Sequence, residues 1–342
     1  MFLKMFRTTI ILMLSVNILI KAELNKKTEA AFFVAKNGNN SWTGKLPEPN
    51  KEKTDGPFAT IERARDAIRH LKAKHSLTKP VTVMIRSGTY FLDKPLVFTQ
   101  QDNGIKSCPI TYAAYPGEKP VLSGGRKINE PWKTYKDKIL ICTVKGVKDG
   151  KWIFRQFFVD GKRQRRCRIP NRGFYKMEKP IDRISFKYKK DNFKKWRNLN
   201  EVEVVVCHSW NESRLLVDEI NEQERIVKLV DAKARHPINW SGATLNQYYI
   251  ENTLEGLDEP GEWYLDKHTG KLYYWPTQKM EDSEVTAPFL NQLMRFQGNA
   301  EKNEYVQYIT VSGLTFSDAD WILPEKGYPD CGDVETSLSP RP

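Results

Sequence analysis

The chain is poor in the residues that usually announce metal or nucleophilic chemistry: it holds five cysteines and five histidines among 342 residues. No Cys-x-x-Cys pair and no His-x-x-x-His cluster occurs, so a tetrahedral zinc site finds no ligand set, and no metal or cofactor is expected. Cys108, Cys142, Cys167, Cys207 and Cys331 are odd in number and widely spaced. That is no disulfide framework, and they read as small buried hydrophobes. No serine sits in a Gly-x-Ser-x-Gly elbow. His208 beside Ser209 is no triad, because neighbours along a strand point to opposite faces. Phosphate-binding loops are absent, and Ser123-Gly124-Gly125 reads as a turn. Apolar runs are scarce as well. With 39% hydrophobic and 28% charged residues the chain is not a polytopic membrane protein.

What is present begins with a targeting signal. Lys4 and Arg7 precede an apolar stretch at residues 10–20, which Ser15 and Asn17 interrupt, and Ala22 offers a small residue for cleavage. Residues 1–22 are therefore expected to be a signal peptide. The mature protein would be secreted, periplasmic or at the cell surface, with no stable membrane insertion. No cysteine follows the apolar run, so a lipoprotein anchor lacks support. Nine Trp, 14 Tyr and 16 Phe give the rest ample material for a buried core.

The formal net charge is +13. Losing residues 1–22 removes Lys4, Arg7 and Lys21 and no acid, so the remainder stays basic. Such a balance suits uronic-acid polysaccharide, an anionic surface or nucleic acid. Most of these charges alternate with acids and read as solvated faces. The densest groups are Lys162-Arg163-Gln164-Arg165-Arg166-Cys167-Arg168 and Lys187-Tyr188-Lys189-Lys190. Neither carries a nucleic-acid motif, and no nucleic-acid partner is expected.

One helix is legible. Thr60 is a suitable N-cap, Glu62 lies in the first turn, Ile61, Ala64, Ile68 and Leu71 recur at helical spacing, and Lys72 and Lys74 close the last turn. Around it stand short strands such as Val81-Thr82-Val83-Met84-Ile85, Ile110-Thr111-Tyr112-Ala113-Ala114 and Val121-Leu122-Ser123, separated by Pro and Gly turns. Their rhythm fits stacked solenoid coils or an antiparallel sandwich, and pattern alone does not separate the two. Residues 127–288 are richer in hairpin signals. Asp160-Gly161 stands between Phe157-Phe158-Val159 and Arg165-Arg166-Cys167-Arg168-Ile169, and residues 201–206 are strand-like. Asn221 to Glu224 separate Ile220 from Ile226-Val227-Lys228-Leu229-Val230, and Lys267-His268-Thr269-Gly270 separates two aromatic strands. The solenoid rhythm returns in residues 306–316.

These residues resemble a known family. Phe33-Val34-Ala35-Lys36-Asn37-Gly38, the stretch Asp55-Gly56-Pro57-Phe58-Ala59-Thr60 and the helix after it look like the entry of exported right-handed parallel β-helix proteins. Residues 109–125 resemble their first rungs. Phe158-Val159-Asp160-Gly161, Ser209-Trp210, Tyr249-Ile250-Glu251-Asn252 and residues 257–266 resemble the insertion of proteins related to glycoside hydrolase family 141. Gly313-Leu314-Thr315-Phe316, with Asp320-Trp321, resembles the return to the helix. The resemblance implies an all-β fold: a right-handed parallel β-helix with an N-terminal capping helix and an inserted antiparallel β domain. It divides the chain into rungs at 31–126, the insertion at 127–288, a return at 289–330 and an aberrant or truncated tail at 331–342. It also implies a polysaccharide or oligosaccharide substrate, with catalytic acids on later rungs that this chain is expected to stop short of.

Glycoside hydrolysis needs two carboxyl groups across one bond, about 5–5.5 Å apart for retention and about 6.5–9.5 Å for inversion. Asp318 and Asp320, with Asp330 behind them, are the local candidates, since alternate residues of a strand share a face. The competing reading makes them turn acids after the strand ending at Phe316. Trp210, Glu251, Asn252, Trp321 and Tyr328 are candidate sugar-binding residues, with Trp240 a further indole. Glu251 is equally suited to pairing with a basic side chain, and Trp263, Tyr264, Tyr273, Tyr274 and Trp275 to core packing. A polysaccharide lyase on the same scaffold, with a Lys or Arg base and calcium, and a non-catalytic carbohydrate-binding module are the alternatives.

Overall fold

The computed structural model describes residues 30–74, 77–209, 212–231, 238, 244–323 and 327. The signal-peptide segment, Trp210, Trp240, Tyr328, Asp330 and the 331–342 tail lie outside them. The chain is mostly β and divides into two compact units, Met1–Ser123 with Leu293–Ser317, and Gly124–Gln292 with Asp318–Pro342. Among the described residues no helix is long and apolar enough to cross a membrane.

In the first unit every pairing between named strands is parallel. Phe32–Val34, Val81–Ile85, Ile110–Ala114 and Ile309–Ser312 form one sheet, in which Phe32 stands beside Val83, Val83 beside Tyr112 and Tyr112 beside Val311. Gly88–Phe91, Pro120–Ser123 and Thr315–Ser317 form a second, and Leu96–Phe98 with Met294–Phe296 a third. Matched registers place like residues in rows, so Val34, Val83, Ile85, Leu96, Phe98 and Tyr112 become buried together. Their apolar, partly β-branched character is what a packed parallel strand requires. Phe98 lies against Tyr112 at 5.1 Å and stacks on Phe296 at 5.3 Å.

Helix α1 (Ile61–Lys74) forms where its spacing and caps predict. The Thr60 hydroxyl accepts from the Arg63 N–H at 3.2 Å, and Ile61, Ala64 and Ile68 are buried. Leu71, expected on the same stripe, is 37% exposed, because the helix's last turn has left the core. Arg69 holds the buried Asp102 carboxylate through Nε and Nη2, both at 2.7 Å, which fastens α1 to the short turn Gln100–Asp102.

In the second unit the sheets are largely antiparallel. The eight-stranded sheet runs in the order Arg168–Ile169, Thr244–Glu251, Glu203–His208, Glu212–Asn221, Ile226–Leu229, Ser185–Lys187, Lys179–Pro180 with Tyr175–Lys176 paired to one side. Val204, Val205 and Val206 are all buried, as a central strand covered on both faces requires. A five-stranded sheet contains Arg165–Arg166, Glu262–Asp266, Lys271–Tyr274, Ile139–Thr143 and Lys133–Lys136. Trp263, Tyr264, Tyr273 and Tyr274 are buried in its core, and Cys142 and Cys167 are buried free thiols.

Two sequence expectations change here. Asp160 and Gly161 do turn the chain, with φ +50° and +71°, but the strand that returns on Phe158–Val159 is Lys162–Arg163. A two-residue turn pairs the residues that flank it directly, so Val159 faces Lys162. Residues 165–169 then split: Arg165–Arg166 pairs in parallel with Glu262–Asp266, and Arg168–Ile169 joins the eight-stranded sheet. The strand expected over 201–206 begins instead at Glu203, after a single turn at Leu199–Glu201.

Candidate functional site

The second unit gathers charged side chains around Trp321. Trp152, Phe154 and Phe157 are buried, with Phe154 5.8 Å and Phe157 5.7 Å from the Trp263 ring, while Ile153 between them is exposed and Arg155 is partly buried. Arg155 reaches Glu203 with Nη1 at 2.5 Å from one oxygen and Nη2 at 2.6 Å from the other, and Arg166 adds Nη1 at 2.7 Å. Burial by itself would raise the Glu203 pKa. The charges of Arg166 and Arg155 and their hydrogen bonds outweigh it and hold the carboxyl at about 2.

Asp320 is fixed from three sides. It accepts the Arg155 N–H at 2.9 Å, the Gln156 side-chain amide at 3.3 Å and the Trp321 N–H at 3.0 Å, while its own N–H donates to the Leu290 carbonyl. These bonds set Trp321, which is 41% exposed, with its ring 5.0 Å from the Arg155 guanidinium; Ile322 beside it is 70% exposed. Two depressions share Arg155 and Trp321. One, of about 530 Å³, is lined by Ile153, Glu203, Lys267 and Phe289 among others. The other, of about 450 Å³, is lined by Arg155, Arg163, Arg165, Arg166 and Arg214, with Glu251 and Gln164. Burial lowers the Lys267 pKa and raises that of Glu201, whose Oε1 is 3.5 Å from His268.

The sequence-predicted residues fall out unevenly. Asp318 does not extend the strand: Thr315–Ser317 ends before it and its φ is +55°. The shared-face argument for Asp318 and Asp320 therefore does not apply, because it needs both residues in extended backbone. Glu251 takes Arg214 Nη1 at 2.9 Å and lies 3.9 Å from Arg166. Asn252 is 2% exposed and donates its side-chain amide to the Glu201 carbonyl at 2.9 Å, so it is committed inside the fold. His208 is likewise internal, 2.9 Å from the Ser213 hydroxyl. Trp321 is the candidate that opens on both depressions.

Sequence reasoning did not find Arg155, Glu203, Arg166, Arg214 or Lys267. The cluster at 162–168 was the available signal, but only the nucleic-acid motif it lacks was drawn from it. Arg166 is 9% exposed and ion-paired, which a run of basic letters does not disclose. Among the described residues no group of three His, Cys, Asp or Glu side chains is placed to hold a metal ion.

Residues 137–277 match the family described as the GH141 insertion domain. No curated protein matches the chain. A solved structure titled "Glycoside hydrolase" is similar over 86% of this chain and 52% of its own, with a TM-score of 0.73 and 22% identity. A second, "The complex structure of XylC with xylose", has a TM-score of 0.37 and 16% identity over 84% of this chain and 35% of its own. The chain thus spans about half the length of the first. The class these findings define is an all-β protein, with a fold similar to that glycoside hydrolase and an insertion-domain match of the GH141 kind.

Proposed function

We propose that the protein is an exported, glycoside hydrolase-like protein that binds polysaccharide, and that its sugar-binding face is built around Trp321. The observation that carries this reading is the GH141 insertion-domain match at residues 137–277, in the unit that also holds Trp321 and its two depressions. An exposed indole beside polar and charged groups is what a sugar ring stacks on: the ring supplies an apolar face and the polar groups fix orientation. In this reading the parallel strands of the first unit are rungs of a right-handed parallel β-helix, and the second unit is its inserted domain. Matched parallel registers in three sheets support it. The outermost strands carry Phe296 and Phe316, both half exposed, as they would where further strands of the same stack cover them and supply catalytic acids.

A non-catalytic carbohydrate-binding role has one specific observation in its favour. Asp320 spends its oxygens on three protein donors, which suits a residue that holds Trp321 better than one that exchanges a proton with substrate. A hydrolysis panel of pectic and xylan substrates, run with affinity electrophoresis on the same glycans, separates the readings. Retention without turnover supports binding, and turnover abolished by Asp318→Asn or Asp320→Asn restores a catalytic role to those acids. No retention and no turnover on any glycan would remove the carbohydrate assignment.

A further inference from the structure

The smaller depression presents donors almost exclusively. Five guanidinium groups line it against one carboxylate, Glu251. Counter-charges exist, but most are not among its lining residues: Glu203 serves both Arg155 and Arg166, Glu212 joins Glu251 on Arg214, and Glu259 and Glu262 serve Arg165. Three arginines keep unused donors, and Arg155, though forked to Glu203, is one of them through a buried Nε–H. Arg163 is exposed and has no acid partner among the described residues; its guanidinium lies 5.6 Å from the Phe158 ring. Arg166 shares Glu203 with Arg155, lies 3.9 Å from Glu251 and, among the described residues, keeps a buried Nε–H without a hydrogen-bond partner. A guanidinium has donors and no acceptor, so a wall of them is best satisfied by an acceptor-only group. A planar carboxylate matches the fork geometry better than a hydroxyl, which brings its own donor. The volume of about 450 Å³ suits one or two sugar residues.

We infer that this depression takes the carboxylate of a uronic-acid residue in a polysaccharide, with Arg163 and Arg166 as its ligands and Trp321 under the sugar ring. The inference rests on the carbohydrate reading above and names its substrate class. Trp321 gives the site an apolar face that a bare phosphate or sulfate would not use, which favours an acidic sugar over a general polyanion.

Affinity electrophoresis decides it, using the whole protein in gels containing polygalacturonate, its methyl ester, neutral xylan or heparin. Polygalacturonate should retard the protein about tenfold more strongly than its methyl ester, the loss expected for one charge-assisted contact. Arg163→Gln, a surface change, should remove that preference, and Arg166→Lys should reduce it while keeping a charge beside Glu203. Trp321→Ala should weaken binding to acid and ester alike. Equal retention by acid and ester, or an unchanged preference in Arg163→Gln, overturns the uronate site. Heparin retarding the protein as strongly as polygalacturonate, without help from Trp321, overturns it in favour of a polyanion surface. If a neutral glycan alone is retained through Trp321, the carbohydrate reading stands and the uronate site fails. If no glycan is retained, both fail.

Discussion

Arg155 and Glu203 face each other fork to fork, both carboxylate oxygens within 2.6 Å of a guanidinium nitrogen, and only 2% of the acid side chain meets solvent. Arg166 lies 2.7 Å from the same carboxylate, so one buried acid pairs with two largely buried bases. Removing it strands Arg155 and leaves Arg166 only Glu251, 3.9 Å away. Glu203→Gln should cost about 3 kcal/mol of unfolding free energy, the lower end for breaking one member of a buried ion pair. Urea denaturation followed by tryptophan fluorescence measures this. A loss under about 1 kcal/mol would mean that water already screens the group.

The same contact sets an acid limit. Glu203 is held at about 2, well below the ordinary carboxylate value, so its folded state binds a proton less readily than its unfolded state. Its contribution is therefore complete above the unfolded value, near 4.5, and is lost as pH falls through the folded one near 2. Stability measured between pH 5 and pH 2 should drop in the native sequence. The Glu203→Gln protein should start lower and show a shallower fall. Parallel curves would assign acid lability to other carboxylates.

Asp320 separates a holding role from a chemical one. Replacing it by Ala frees the N–H groups of Arg155 and Trp321 in a half-exposed site, where water replaces part of what is lost, while the Gln156 amide keeps the Ala319 carbonyl. The expected cost is about 1 kcal/mol in stability, with weaker glycan retention as Trp321 loses its setting. Asp320→Asn keeps one acceptor oxygen and should recover part of both. A proton-transfer group would behave differently: either substitution would leave stability and binding intact and abolish turnover.

The parts of this fold legible in the sequence are those fixed by near neighbours. Thr60 with Ile61, Ala64 and Ile68 set out α1, and Asp160-Gly161 marked a turn, because caps and tight turns are decided within a few residues. The charged cluster was not legible for the opposite reason. Arg155 and Arg166 are 48 and 37 positions from Glu203, and Asp320 is 165 positions from the Arg155 N–H it accepts. No local spacing encodes such partners, so basic residues that neutralise a buried acid look like surface charge. For Asp318 and Asp320 the sequence left a shared strand face and turn acids both open, for a related cause. Alternation says nothing about where a strand ends, and a left-handed Asp318 ends it.

Close approach at Gly44 offers a test in the first unit. Gly44 has φ +73°, and a Cβ added there would lie 2.3 Å from the Phe58 ring, which is itself almost fully buried and lies 5.5 Å from the Phe32 ring. Phe58 also joins Val34 in a parallel bridge, and the Phe33 N–H donates to the Gly44 carbonyl at 2.8 Å. Gly44→Ala must therefore strain the backbone and displace Phe58, a buried ring, at once. A loss of about 2 kcal/mol or more is expected, read by thermal unfolding. Gly117 provides the control: its φ is +79°, but nothing lies within 4 Å of an added Cβ, so Gly117→Ala should cost about 1 kcal/mol from conformation alone. Equal losses at the two positions would show that Phe58 moves aside freely, and that the packing around Val34 and Phe32 is looser than their burial implies.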